Sequence, residues 1–308
     1  MKPASIIFLI VAILFCIGGY ACMSIGKSRA AAEGIDLFAG TADEDSDYVY
    51  KYDFSEDEIG KIAVNLKEAT VNIIGGSSKS YIELVNFAEG MYEFSSSNKI
   101  LTVNNNSDFS QITDMASLIF NFKGLRSLVN YTQVRDRAKT VNIYVSDEQA
   151  IKIYECKLVT GNVKISGVTT QSDFNATVTT GDVTLENITN GSTANISLEA
   201  GDLTFDDCSV ASIIIDQKKG DSELITTTAD RLSVKIAEGD FRFGYRHDLE
   251  YVNLNLFTGV GSVTLNGVSQ GGFYEVDELP TSAKFEVSVD KGDIMMNSNM
   301  TGENQSEN

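Results

Sequence analysis

The sequence predicts a mainly β fold, a parallel β-solenoid with coils of about 20 residues, on three observations. Glycine recurs at Gly161, Gly181, Gly201, Gly220, Gly239, Gly261 and Gly292, at spacings of 20, 20, 19, 19, 22 and 31. Apolar residues keep one phase around each glycine. The composition is β-rich, with Thr, Ser, Asn, Val and Ile abundant and only two prolines and no tryptophan in 308 residues. A fixed period near twenty is the signature of stacked repeats, each of which buries its apolar face against its neighbours.

The phase follows from setting each glycine to zero. Two positions on stand Val163, Val183, Leu203, Ser222, Phe241, Val263 and Ile294, and four positions on stand Ile165, Leu185, Phe205, Leu224, Phe243, Leu265 and Met296. Five positions before it stand Cys156, Ala176, Ile196, Ile215, Val234, Leu256 and Val287. Polar residues such as Thr184, Thr204, Thr177 and Ser197 separate them. Alternation of period two is a strand with one buried face. Each unit therefore reads as strand, Gly-Asp corner, strand, second corner. Glycine suits a corner that needs positive φ or close packing. An antiparallel meander, with the Gly-Asp pairs as hairpin loops, is the competing topology.

The same coil continues upstream in a degraded form. Ile62, Val64 and Leu66 precede Ala69, which stands in the glycine slot, and Val71 and Ile73 follow it. Strand-like runs occur at Tyr81–Val85, Ile100–Val103 and Val141–Val145. Between the last two, Ile112, Met115, Leu118, Ile119, Phe122, Leu125, Leu128 and Val129 follow helical spacing, so a helical insertion is expected at about 110–130, covering the side or an open end of the coil. The β-solenoid domain is bounded at 48–297, and the tail 298–308 has no apolar pattern.

The N-terminus carries an address. Residues 3–26 hold no charge and are nearly all apolar, between Lys2 and the pair Lys27 and Arg29. As a helix at 1.5 Å per residue the run spans about 36 Å, enough for a hydrocarbon core of about 30 Å. Residues 1–29 are therefore read as an uncleaved transmembrane anchor. A signal peptide cleaved near Ala21 and a lipid-modified Cys22 are the alternatives. Residues 30–47 form an acidic linker. All 43 acidic residues follow Arg29. The expected location is the cell membrane, single-pass, with the C-terminal domain extracytoplasmic.

Charge and residue types exclude several functions. A net charge of −19 argues against nucleic-acid partners, whose phosphates reward clustered Lys and Arg. His247 is the only histidine, in "GYRHDLEY" beside Arg246, which occupies a normally apolar slot. No catalytic residue and no cofactor is assigned. Cys156 and Cys208 fall in core slots of different phase and are expected to be buried free thiols. One column could hold a ligand: the residue after each glycine gives Asn162, Asp182, Asp202, Asp221, Asp240, Ser262 and Asp293. Asp182, Asp202, Asp221, Asp240 and Asp293 would form a ladder of carboxylates along one corner, a candidate row of weak Ca²⁺ sites. The expected role is turn chemistry, with each side chain bonded to its own turn.

Repeats such as "TTGDVTLENIT" and "EAGDLTFDDC", behind a membrane segment and short tether, resemble a bacterial adhesin-type family of β-strand repeat proteins, a domain-of-unknown-function family of the cell envelope. The resemblance covers about Tyr50 to Asn297 and departs at the helical insertion and the long gap before Gly292. It implies a β-solenoid and no catalytic residues. The expected function is an anchored, non-catalytic envelope protein presenting an extended interaction surface to an envelope protein or a polysaccharide. An envelope-stress sensor binding a peptide or membrane partner is the first rival, and a polysaccharide-processing β-helix enzyme the second.

Overall fold

The computed structural model describes residues 47–298 apart from 88–91, 106–133, 135, 278 and 282. The expected anchor, nearly all of the linker, the helical insertion and nearly all of the polar tail lie outside the described residues. Among those described, no helix is long and apolar enough to cross a membrane.

The chain begins with β1 (Val49–Asp53), β2 (Lys61–Glu68), β3 (Thr70–Ser77), β4 (Tyr81–Val85), β5 (Tyr92–Ser97), β6 (Ile100–Asn105) and β7 (Thr140–Ser146). The regular repeats follow as β8 (Ile153–Thr160), β9 (Val163–Ser166), β10 (Asp173–Thr180), β11 (Val183–Glu186), β12 (Gly191–Ala200), β13 (Leu203–Asp206), β14 (Val210–Lys219) and β15 (Ser222–Thr227). The last are β16 (Arg231–Glu238), β17 (Phe241–Tyr245), β18 (Asn253–Val260), β19 (Val263–Leu265), β20 (Val268–Gly271), β21 (Phe273–Val276), β22 (Lys284–Lys291) and β23 (Ile294–Ser298).

Two long sheets face each other across one core. One runs β1-β4-β7-β3-β9-β11-β13-β15-β17-β23-β19-β20 and the other β21-β18-β22-β16-β14-β12-β10-β8-β2-β6-β5. The strands on either side of each Gly-Asp corner lie in different sheets, which excludes hairpins there. Pairing between coils is parallel and in phase: Ala176 lies between Cys156 and Ile196, and Leu185 between Ile165 and Phe205. The degraded coil takes its expected place, with β2 beside β8 and β3 beside β9.

The coils do not stack in chain order. At the N-terminal end the chain builds β2 and β3, steps outward to β6 and β7, then returns to the other side of β2 and β3 with β8 and β9. At the C-terminal end it steps over a vacant position to make β18 and β19. The last coil, β22 and β23, then fills that position between β16/β17 and β18/β19. The irregular spacing of 31 before Gly292 is this excursion. Antiparallel strands finish both ends: β1, β4 and β5 at one, β20 and β21 at the other.

The inward columns form one continuous apolar core, with Ile196, Ile215, Leu185, Phe205, Phe243 and Phe285 fully buried. Burying each such side chain is worth about 1.5–3 kcal/mol. Cys156 and Cys208 are buried free thiols, as their phases predict. Tyr154 and Phe174, one rung apart, stack with centroids 5.5 Å apart and planes 2° from parallel. The apolar rule is broken at more than one rung: buried Thr258 donates its hydroxyl to the Gly292 carbonyl at 2.8 Å, and a polar pair stands at another. Ser222 and Gln217 are both buried; the Ser222 hydroxyl donates to the Gln217 side-chain oxygen, and the Gln217 amide donates to the carbonyls of Gly201 (2.7 Å) and Asp221 (3.3 Å). A buried polar pair is tolerated when it satisfies itself in this way.

Candidate functional site

Two regions carry polar groups in a repeated or converging arrangement. The first is the Gly-Asp corner. Each glycine there has φ between +122° and +151°, and a Cβ on Gly201 would lie 2.0 Å from the carbonyl oxygen of Gly181 in the coil beneath. Both reasons for glycine, conformation and closeness, hold at once.

The next residue makes the ladder. Asn162 Oδ1 accepts from the Asp182 backbone N–H at 2.9 Å, Asp182 Oδ1 from Asp202, Asp202 Oδ1 from Asp221, and Asp221 Oδ1 from Asp240. Asp240 Oδ1 accepts from Asp293, and Asp293 Oδ1 accepts from both the backbone N–H (2.7 Å) and the hydroxyl (3.0 Å) of Ser262. This corrects the expected bond within each turn. The side chain reaches the neighbouring coil, because adjacent strands lie only about 4.8 Å apart and a two-bond side chain spans that gap. The column is a seam along the solenoid. For calcium the arrangement is poor: one oxygen of each carboxylate is committed, and Ca²⁺ takes six to eight oxygens. Among the described residues no three His, Cys, Asp or Glu side chains are grouped to hold a metal ion.

The second region is the opposite corner. The segments entering β10, β12, β14 and β16, with the end of β17, enclose an open cleft of about 650 Å³ lined by Gln171, Asn190, Ser209, Val210, Ala211, Thr228, Asp230, Tyr245 and His247. It crosses five coils. Left-handed residues turn this corner, with Asn187, Asp207 and Thr226 at φ near +50°. Asn and Asp adopt that region readily, whereas β-branched Thr226 is held there at a cost. Arg246, out of place in an apolar slot by sequence, explains the hold. Its guanidinium pairs with the Asp207 carboxylate and donates to the Thr226 carbonyl at 3.0 Å, strapping three coils together.

Tyr245 forms the floor of the cleft. Its hydroxyl donates to the Ala229 carbonyl at 3.4 Å, and burial, then the Asp230 charge, raises its pKa. The exposed His247 ring meets Tyr245 nearly edge-on, with centroids 5.5 Å apart. Elsewhere, burial pushes both thiols, Cys156 and Cys208, up to about 12. The most perturbed groups are thus displaced toward inertness, the opposite of an activated nucleophile or base.

Of the residues singled out by sequence, the structure brings the Asp column together and puts His247 on the cleft rim. Sequence reasoning missed the rest of the cleft. Gln171, Asn190, Ser209 and Asp230 recur at spacings of 19, 19 and 21, but they sit in connections outside the strands and are four different residue types with no shared motif. The misplaced Arg246 was the one available signal.

A family model described as Toastrack DUF4097 matches residues 59–308. Among curated proteins none matches. Solved structures similar to the chain include the following two. A putative cell adhesion protein from Clostridium sporogenes is 12% identical, with 82% of this chain and 100% of that one covered, at a TM-score of 0.38. A putative adhesin from Bacteroides fragilis is 12% identical, with 82% and 97% covered, at a TM-score of 0.47.

Proposed function

The chain belongs to the Toastrack DUF4097 family, and from its stacked coils we propose that it is a non-catalytic recognition module of the bacterial cell envelope. The apolar N-terminal segment anchors it in the membrane as a single span, and the solenoid stands outside. The observation that carries this reading is the cleft spanning five coils. Its lining offers amides from Gln171 and Asn190, hydroxyls from Ser209 and Thr228, and a single carboxylate from Asp230. Neutral donors and acceptors spread over several coils suit an extended, hydroxyl-rich ligand, so an envelope polysaccharide is the ligand class we assign. The raised pKa values of Tyr245, Cys156 and Cys208, each caused first by burial, support binding rather than chemistry.

The experiment uses the full chain in detergent micelles and soluble polysaccharide fractions of bacterial cell wall. Ala211 is exposed on the cleft wall, and Ala211→Trp fills the cleft without entering the core. Wild type should bind, and the variant should bind at least ~10-fold more weakly with its melting temperature unchanged, as expected for loss of about 1.4 kcal/mol. Equal binding by both proteins would sink the cleft assignment. For the address, protease added outside intact protoplasts should remove the solenoid, and full protection would reverse the orientation.

A further inference from the structure

The C-terminal end of the solenoid differs in charge from the rest of the described residues. From Tyr251 to Tyr274 there is no Asp, Glu, Lys or Arg, in a chain where 22% of residues are charged and the net charge is −19. That stretch builds the outermost coil, β18 and β19, and runs through the capping strand β20 into β21. It also holds five of the nine large apolar side chains exposed among the described residues: Tyr251 (71%), Phe257 (46%), Val260 (69%), Val268 (61%) and Phe273 (52%). Phe257 and Phe273 are direct cross-strand partners.

Strand β20 ends its sheet, with β19 on one side and no strand on the other among the described residues. An open edge of this kind exposes unpaired N–H and C=O groups, and proteins guard such edges with charge. The edges at the other end are guarded: β1 carries Lys51 and Asp53, and β5 carries Glu93. On β20 there is no charge, and β21 carries only Glu275.

We propose that this end pairs with the same end of a second copy, β20 against β20 in antiparallel register, to form a two-fold dimer. This goes beyond the ligand-binding reading and does not depend on it. Two identical edges related by a two-fold axis meet antiparallel, which gives a closed and self-complementary contact. Two copies each carrying −19 repel through any charged face, and this neutral end is where they approach at least cost. The chain's own tail is a poor occupant, since residues 299–308 hold two glutamates and a single large apolar residue, Met300.

The test is the mass of the full chain in detergent micelles, by light scattering corrected for detergent, over a dilution series. Wild type should be a reversible dimer. Val268→Lys with Phe273→Lys, and separately Val268→Glu with Phe273→Glu, should each raise the dimer dissociation constant at least ~30-fold, the effect of losing central apolar anchors. Mixing the two variants should restore a dimer through opposite charges. Val159→Lys, which alters an exposed apolar side chain away from this end, should leave the dimer intact. A monomeric wild type overturns the proposal. So does a dimer that survives both double substitutions, which would be held by the N-terminal segment, or a dimer seen only after deletion of residues 299–308. Open-ended filaments would overturn the two-fold geometry.

Discussion

At Gly201 two independent constraints meet in one atom's space. A methyl group there would lie 2.0 Å from the Gly181 carbonyl oxygen, which is rigid backbone, and would have to adopt φ of +142°. Gly201→Ala should therefore cost about 4 kcal/mol or more, at the severe end for a single substitution, and show as loss of soluble, cooperatively folding protein. Tyr154 poses the opposite case. Its ring stacks on Phe174 in the core, but its hydroxyl is buried toward Thr170 without a well-formed hydrogen bond, and burial raises its pKa far above the ordinary phenol value. An unmet buried hydroxyl costs about 1–3 kcal/mol. Tyr154→Phe should keep the stack, remove that cost and raise the melting temperature by about 2–4 °C per kcal/mol recovered. An unchanged or lower melting temperature would mean that the hydroxyl is bonded in solution. Neither residue is legible as special from composition alone: Gly201 is exposed by its period, and the Tyr154 hydroxyl only by its surroundings.

The Asp ladder adds to the cohesion between coils that the two sheets and the core supply. Its Oδ1 atoms accept N–H groups one coil away, so the column works as hydrogen-bonded stitching outside the sheets. Asn162 already performs the same role at the first rung. Asp202→Asn should then be close to neutral in thermal melts, while Asp202→Ala strands the Asp221 N–H and should cost about 1 kcal/mol. Equal destabilisation by both would point to the charge rather than to the hydrogen bond. The sequence showed which residues recur and in what phase. It could not show whether each side chain turns back to its own corner or forward to the next coil, because both need the same short acceptor.

For the whole molecule, threading matters more than repeat number. In a solenoid stacked in chain order the terminal repeats are the outermost and fray first. Here the first and last coils, β2/β3 and β22/β23, each lie between two neighbours, and the outermost positions are capped by antiparallel strands. Native-state hydrogen exchange should accordingly find the amides of β22 and β23 as protected as those of β12 and β13. Those of β20 and β21 should exchange fastest among the C-terminal strands. Rapid exchange in β22 would contradict the interleaved order. Loss of the last coil should also act globally rather than as simple shortening, since it bares facing edges on β16 and β18 at once.

The recurrence of glycine near every twenty residues, with alternating apolar positions around it, was enough by itself to determine the coil, its two faces and the burial of Cys156 and Cys208. Such patterns are local and repeat, and a one-residue slip would turn a whole apolar column to solvent. Only the tertiary structure decided the order of the coils at each end, the direction of the Asp bonds and the cleft at the second corner. Residues as far apart as Gln171 and His247 line one cleft there because successive coils stack. That juxtaposition depends on which coil lies above which, and a side chain's own neighbours in sequence carry no trace of it.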